Sequence, residues 1–207
     1  MGNLTIRLET EKDYKAVENL TREAFWNVYR PGSSEHYVVH TYRKNSDFVP
    51  ELDFVMELNG KLIGHIMFVR AAIETDDGRV LPMMTFGPIS IHPDYQRKGY
   101  GKILLDYALD KAMGMGVGAI CMEGNIDFYG KCGFTVASTH GIHYYAEPRD
   151  EVVPYFLLRE LKDGFLDGVT GIYRTPKGYF VDDADVEEFD KSFSPKQKLK
   201  LSGQLFG

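Results

Sequence analysis

The sequence predicts an α/β protein built on a mixed sheet of six or seven strands. Three observations carry that prediction. Short alternating or apolar runs, bounded by tight-turn signals, recur from Leu4 to Tyr173. A helical apolar period occupies Gly101 to Met115. That helix separates two strand-like runs, an order that implies parallel pairing through a right-handed crossover.

Leu4 to Leu8 alternates and reads as a strand. Thr10 is a helix N-cap, with Asp13 three residues on completing a loose capping box. The helix should run to about Phe25, with Tyr14, Val17, Leu20, Ala24 and Phe25 on one face. Pro31-Gly32-Ser33-Ser34 breaks it, and a second helix is expected from Ser34 to about Lys44. Phe54 to Leu58 and Lys61 to Ile73 flank Asn59-Gly60, the strongest short hairpin signal. Asp76-Asp77-Gly78 is a second tight turn before a strand from Val80 to Ile91. Gly87-Pro88 interrupts that strand; the proline removes a ladder donor and points to a bulge or a splay. After the polar loop His92 to Lys98, the helical period places Leu104, Leu105, Ala108, Leu109, Ala112 and Met115 on one face, and Gly116 and Gly118 end the helix. Ala119 to Glu123 reads as a short buried strand and Ile126 to Lys131 as a short helix. Phe134 to Ala137, Tyr155 to Leu161 and Gly168 to Tyr173 read as further strands. With no linker or internal repeat visible, the expected organisation is a core over 1–147 and an extension over 148–207 packed on the same domain.

The net charge is −6, and one run accounts for all of it: Asp182 to Asp190 holds six acids and no base. A nucleic-acid binder would show a basic excess or stripe, so nucleic acid is not an expected partner. No run of eighteen apolar residues exists, and the polar opening has no signal-peptide core, so neither membrane nor secretion is expected. Cys121 and Cys132 form no CxxC and read as reduced, cytoplasmic and buried. Six scattered histidines give no metal-ligand spacing, so no metal is expected.

The chemistry concentrates in Gln96-Arg97-Lys98-Gly99-Tyr100-Gly101-Lys102, between a strand and a helix N-terminus. Its glycines allow a tight turn and close approach to a ligand. Successive N–H groups and the helix dipole favour an anion, and Arg97, Lys98 and Lys102 add full charges. This reads as a pyrophosphate cradle. A P-loop fails on Gln96 and Ile103, and a Rossmann pattern from Gly99 fails on Leu104. Gly114-x-Gly116-x-x-Ala119 has the wrong strand–helix order and reads as a helix C-cap.

What remains, Gln/Arg-x-x-Gly-x-Gly, resembles the coenzyme A loop of the GNAT superfamily of acyl-CoA-dependent N-acyltransferases. The lead-in Gly87-Pro88-Ile89-Ser90-Ile91-His92-Pro93-Asp94-Tyr95-Gln96 and the downstream Asn125-x-x-Phe128-Tyr129-x-Lys131-x-Gly133-Phe134 resemble that family in the same order and at its spacing. The likeness covers about Leu4 to Ala137. Phe156-x-x-x-Glu160-Leu161-x-x-Gly164-x-Leu166-x-Gly168-Val169-x-Gly171 resembles the extension of a bacterial subgroup of largely unassigned substrate. Cys132 departs from it, standing where aromatic residues are frequent.

The resemblance implies a mostly antiparallel sheet with helices on both faces and a central strand pair that splays apart. It implies acetyl-CoA as cofactor, held by Ile89, Ser90, Ile91, Gln96, Arg97, Lys98, Gly99, Tyr100, Gly101, Lys102, Asn125 and Phe128. A backbone N–H near Ile91 would polarise the thioester carbonyl. Tyr129 occupies the general-acid position; a phenol of pKa about 10 stays protonated at neutral pH and can donate to sulfur. Glu123, ending its strand, is the candidate base. The acceptor would be a small-molecule or protein amine, in a groove for which Trp26, Tyr29, Tyr37, Tyr144 and Tyr145 are candidates. A homodimer is compatible with this reading. So is a non-catalytic acyl-CoA-binding or interaction module. The acidic run reads as a solvated face of the extension, outside the cofactor site, with a local helical or docking role as the alternative.

Overall fold

The computed structural model describes residues 2–205. In chain order the elements are β1 (Leu4–Leu8), α1 (Tyr14–Phe25), α2 (Glu35–Tyr42), β2 (Phe54–Leu58), β3 (Lys61–Thr75), β4 (Val80–Ile91), α3 (Tyr100–Gly114), β5 (Ala119–Glu123), α4 (Ile126–Tyr129), β6 (Thr135–Val136), β7 (Ile142–Tyr144), β8 (Phe156–Glu160), β9 (Gly171–Tyr173) and α5 (Asp183–Asp190). Among the described residues the sheet has nine strands rather than six or seven: β1-β2-β3-β4-β5-β8-β6 follow one another in hydrogen-bonded order, and β9 joins β3 to β7. β1–β2, β2–β3, β3–β9, β5–β8 and β6–β8 are antiparallel. β4 and β5, the strands around α3, are parallel, with Met84 opposite Ile120. This is the mixed, mostly antiparallel α/β fold that the sequence predicts.

Local chemistry explains the turns. Asn59 and Gly60 adopt φ of 53° and 77°, the pair of left-handed residues that a two-residue hairpin needs. Gly116 adopts φ 82°, and Val117 N–H returns to Ala112 O at 3.1 Å, closing α3 as a C-cap. That closure displaces Met115 from the apolar face. It is 49% exposed, contrary to the helical period, because the helix has already ended at Gly114.

Other boundaries shift for similar reasons. Thr10 opens a turn rather than the helix: α1 starts at Tyr14 with Asp13 as its cap, and the Asp13 carboxylate accepts from Thr10 N–H at 2.9 Å. The strand expected over Phe134–Ala137 shortens to β6 because Gly133, at φ 81°, precedes it and a 3-10 turn over Ala137–His140 follows. The strand expected from Gly168 begins at Gly171, since a turn bond from Val169 N–H to Leu166 O occupies the start. β7 has no counterpart in the sequence reading.

The chain packs as two compact units. The first holds the chain to Met67, Pro88–Leu104 and the chain from Lys177; the second holds Phe68–Gly87 and Leu105–Pro176. One division falls at Gly87-Pro88, yet β4 runs unbroken through that dipeptide from Val80 to Ile91, contrary to the interruption expected there.

In the first unit Val17, Leu20, Val38, Val39, Leu52, Val55 and Ile66 form much of the core. Charges are buried with them. Arg43 grips Glu9 through Nη2 at 2.6 Å and Nε at 3.0 Å, and reaches Glu18 through Nη1 at 2.8 Å. Asp53 lies beside Glu9, and His65 Nε2 is 2.7 Å from Asp53 Oδ1. Burial, then a hydrogen bond with Asp53, raises Glu9 to about 7. Burial raises Asp53 to about 6, opposed by Glu9 and Arg43, and burial lowers His65 to about 4. Glu9, Asp53 and His65 bring donor atoms within 4.8 Å of one another, but Arg43 is the cation that balances them.

Asp182, Asp183, Asp185, Glu187 and Glu188 of the acidic run are exposed, the solvated face expected of it, while Asp190 is half-buried and joins this unit through an ion pair. Asp182 caps α5, its side chain accepting from Ala184 N–H at 2.8 Å. Asp190 takes a bidentate pair from Arg22, Nε to Oδ1 at 2.6 Å and Nη2 to Oδ2 at 3.0 Å, and the Arg22 side chain is only 1% exposed. Asp183 pairs with Arg30 at 2.8 Å; Glu187 pairs with Lys198 and Glu188 with Lys191. Burial opposes ionisation of Asp190, but the Arg22 hydrogen bonds and charge outweigh it and hold the carboxyl below its usual range. Lys191 and Lys198, from the basic stretch beyond α5, thus each pair with one acid of the run that precedes it.

Two outcomes follow from these buried charges. Asp190→Ala leaves Arg22 buried without its carboxylate and should cost about 3 kcal/mol in urea unfolding. Asp53 has a raised folded pKa, so its contribution is lost as pH rises through about 6. Asp53→Asn stays neutral, so its stability relative to the parent should increase from about pH 5 to about pH 8 in the same assay.

Candidate functional site

In the first unit the site residues occupy the end of β4 and the loop beyond it. Ser90 is fully buried and donates Oγ to Thr21 Oγ1 at 3.0 Å. The Ile91 side chain packs on Gly64, where an added Cβ would lie 2.9 Å from Ile91 Cδ1. Those side chains serve packing, and Ile89 is half-buried beside them, so any ligand role of Ile89 to Ile91 falls to their backbone.

The loop then folds on its own backbone. His92 Nδ1 accepts from Asp94 N–H at 3.3 Å, opening a 3-10 turn over Pro93–Tyr95. Gln96 Nε2 donates back to Ile91 O at 3.0 Å, and Lys98 Nζ donates to Asp94 O at 2.7 Å. Gln96 and Lys98 thus hold the loop in shape. Arg97 adopts φ 58° and Gly99 φ 88°, just before α3 begins at Tyr100. Left-handed residues so close together turn successive N–H groups toward one side, and the helix adds its positive end. A Cβ on Gly99 would meet nothing within 4 Å. Conformation, not crowding by the protein, demands glycine there. Gln96, Arg97, Lys98, Gly99 and Lys102 are exposed, and Tyr100 and Gly101 half-buried. An exposed, basic, glycine-turned helix start fits a pyrophosphate.

In the second unit β5 delivers Glu123 at its end, followed by Gly124 and the cap of α4. Asn125 is that cap: its Oδ1 accepts from Asp127 N–H at 2.8 Å, and its carbonyl accepts from Tyr129 N–H at 3.0 Å. The structure thus gives Asn125 an orienting role. The Tyr129 ring packs edge-on against Phe128, 4.8 Å between centroids, and lies 5.9 Å from Phe86 and 5.8 Å from Phe134. Phe128 itself is 38% exposed. Gly124 is the floor under Tyr129, since an added Cβ would sit 2.4 Å from Tyr129 Cε2. One glycine therefore joins the candidate base and the candidate acid in a single packed turn. Glu123 is exposed, and its Oε1 accepts from Tyr144 Oη at 2.9 Å and Thr175 Oγ1 at 2.8 Å. Burial pushes the Tyr144 hydroxyl well above the usual tyrosine range, so it stays a donor. Thr175 is absent from the sequence reading because no local pattern links it to Glu123.

The aromatic candidates for an acceptor groove separate. Trp26 Nε1 donates to Gln197 O at 3.0 Å, with Arg22 4.2 Å over its ring, so it anchors the C-terminal stretch. Tyr37 stacks on His40 and touches Phe189. With Asp185, Glu188 and Ser192 these line a shallow recess of about 460 Å³ that shares no residue with the loop or the Glu123 cluster. Tyr29 is 43% exposed. Tyr144 is buried, and Tyr145 stands beside it, 37% exposed.

Gly124→Ala should force the Tyr129 ring to move, at a cost of about 1–3 kcal/mol in urea unfolding. A changed near-ultraviolet circular dichroism spectrum with unchanged far-ultraviolet signal would mark the displaced ring.

Comparison with known proteins bears on the family and the fold. Residues 19–134 match the acetyltransferase (GNAT) family. The uncharacterized N-acetyltransferase YjhQ of Escherichia coli (strain K12) is 28% identical over 132 residues, covering 64% of this chain and 70% of YjhQ. The fold matches the GNAT family N-acetyltransferase YhbS of Escherichia coli, solved with CoA, at a TM-score of 0.74 and 23% identity over 86% of this chain and 93% of that one. It also matches a Brucella melitensis GNAT acetyltransferase, solved with acetyl-CoA, at a TM-score of 0.67 and 22% identity over 86% of this chain and 99% of that one. The chain therefore belongs to the GNAT acetyltransferase family.

Proposed function

We propose that the protein is an acetyl-CoA-dependent N-acetyltransferase that acts on a primary amine of a small molecule or a protein by direct attack. The observation that carries this reading is the exposed basic turn with Arg97 and Gly99 at positive φ, set at the start of α3. Its backbone N–H groups, with Arg97, Lys98 and Lys102, would hold the pyrophosphate. Binding of CoA and acetyl-CoA by the two structural neighbours supports that assignment.

When bound, acetyl-CoA supplies an acetyl thioester as the electrophile. Glu123 takes a proton from the acceptor's ammonium, directly or through water, leaving a nucleophilic amine. The backbone N–H near Ile91 polarises the carbonyl as the C–N bond forms. Tyr129 gives its phenolic proton to sulfur as the C–S bond breaks. The second proton lost by nitrogen restores the phenol. Asn125, by capping α4, holds Tyr129 in register with the turn.

Two measurements test the reading. Acetyl-CoA at about 100 times its Kd should stabilise the protein by about 2.7 kcal/mol, read as a raised melting temperature. A shift with ATP but not with acetyl-CoA would overturn the cofactor assignment. Coenzyme A release over a panel of amines should show turnover, and Tyr129→Phe should lower kcat by about 100-fold while acetyl-CoA still stabilises the variant. Tight acetyl-CoA binding with no turnover on a wide panel would mean a binding module.

A further inference from the structure

Glu123 is gripped by two residues that lie 21 and 52 positions further along the chain. Tyr144, at the end of β7, and Thr175, just beyond β9, each direct a hydroxyl at the same carboxylate atom, Oε1. The two hydroxyl oxygens are 3.1 Å apart, which closes a triangle. Each hydroxyl has a single proton, so with both protons spent on Oε1 the third side of the triangle is only a contact. Among the described residues Oε2 takes no hydrogen bond. The Tyr144 ring cannot drift, because it is buried against Phe156 at 5.3 Å and flanked by Tyr145 at 5.1 Å and Tyr155 at 5.9 Å. Tyr155 itself donates to Glu147 at 2.7 Å. A glutamate at an exposed strand end ordinarily samples several rotamers. Here a donor pair consumes one oxygen, which fixes the rotamer and the direction of the other.

We infer that Thr175 and Tyr144 are positioning residues that fix the Glu123 carboxylate so that Oε2 meets the acceptor's ammonium. This rests on the reading of Glu123 as the base in acyl transfer. It also gives the chain beyond β8 a part in the chemistry. Thr175 touches neither the acetyl group nor sulfur; it acts through Glu123 alone. The favoured acceptor is therefore a cationic primary amine, met by a fixed carboxylate oxygen with the exposed Tyr145 and Tyr155 rings beside the cluster.

The test is steady-state coenzyme A release with tyramine, spermidine and a lysine-containing peptide as acceptors, using Thr175→Val, Thr175→Ser, Tyr144→Phe, Glu123→Gln and the double variant Glu123→Gln/Thr175→Val. Thr175→Val and Tyr144→Phe should each lower kcat/KM for the amine by about 10-fold with KM for acetyl-CoA unchanged. Thr175→Ser should return to within about two-fold of the parent, since it restores the donor. In the Glu123→Gln background, Thr175→Val should have no further effect. Heat stabilisation by acetyl-CoA should persist in every variant. If Thr175→Val keeps the parent's kcat/KM while Glu123→Gln loses about 100-fold, the positioning role is wrong and the base stands. If Glu123→Gln itself runs at the parent's rate, the base reading fails and takes the positioning role with it. If Thr175→Ser is as impaired as Thr175→Val, the hydroxyl is not what matters and the inference is overturned.

Discussion

The first unit depends on putting guanidinium groups inside and matching every one of them with carboxylate. Arg22 and Arg43 are both nearly removed from water, and each is met at hydrogen-bond distance by acids from distant parts of the chain. A buried cation of this kind tolerates no vacancy, because the charge left behind cannot recover its hydration. That requirement links otherwise independent elements. Arg43 ties the end of α2 to Glu9 beyond β1 and to Glu18 on α1. Arg22 ties α1 to the last residue of α5. The acidic run thus has its explanation in packing: Asp190 is the partner that Arg22 needs, and its neighbours cap the helix and balance lysines of the following stretch.

The fold was legible wherever a local rule decides structure. Asn59-Gly60 and the helical period of α3 are both short-range signals, and each has its structural counterpart. Reading failed where the deciding partner is remote. The exposed acids of Asp182 to Asp190 form the solvated face expected of them, but the Arg22–Asp190 pair escaped because nothing near Asp190 reveals Arg22, 168 positions away. Met115 fits the helical period but loses to a C-cap bond made by the residue that follows Gly116. β7 is three residues long, held by pairing to β9, and so carries no pattern of its own.

The candidate site divides along the same line. The loop from Gln96 to Lys102 was readable because its chemistry is backbone chemistry, written as glycine spacing and a helix start. Tyr129 was readable through its motif, and Gly124, the glycine that seats it, lies beside the motif. Thr175 was not readable, since a lone threonine after a short strand has no signature. Two kinds of polar design therefore coexist. One uses peptide groups to greet an anion; the other uses side-chain hydroxyls to aim a carboxylate. Trp26 shows how composition can mislead in the opposite sense: an aromatic that could line a groove is instead fastened to the chain end by Arg22 and the Gln197 carbonyl.

The distance between Arg22 and Asp190 also sets an order of events during synthesis. A ribosome adding about 5–20 residues per second needs roughly ten to thirty seconds to travel from one to the other. Throughout that interval α1 carries a guanidinium whose carboxylate partner in the folded protein has not been made. The inner strand β8, which pairs with both β5 and β6, is likewise among the later parts to emerge. Each unit therefore gains a buried partner from a later part of the chain. The pairing of Arg22 is thus among the last contacts that the growing chain can make.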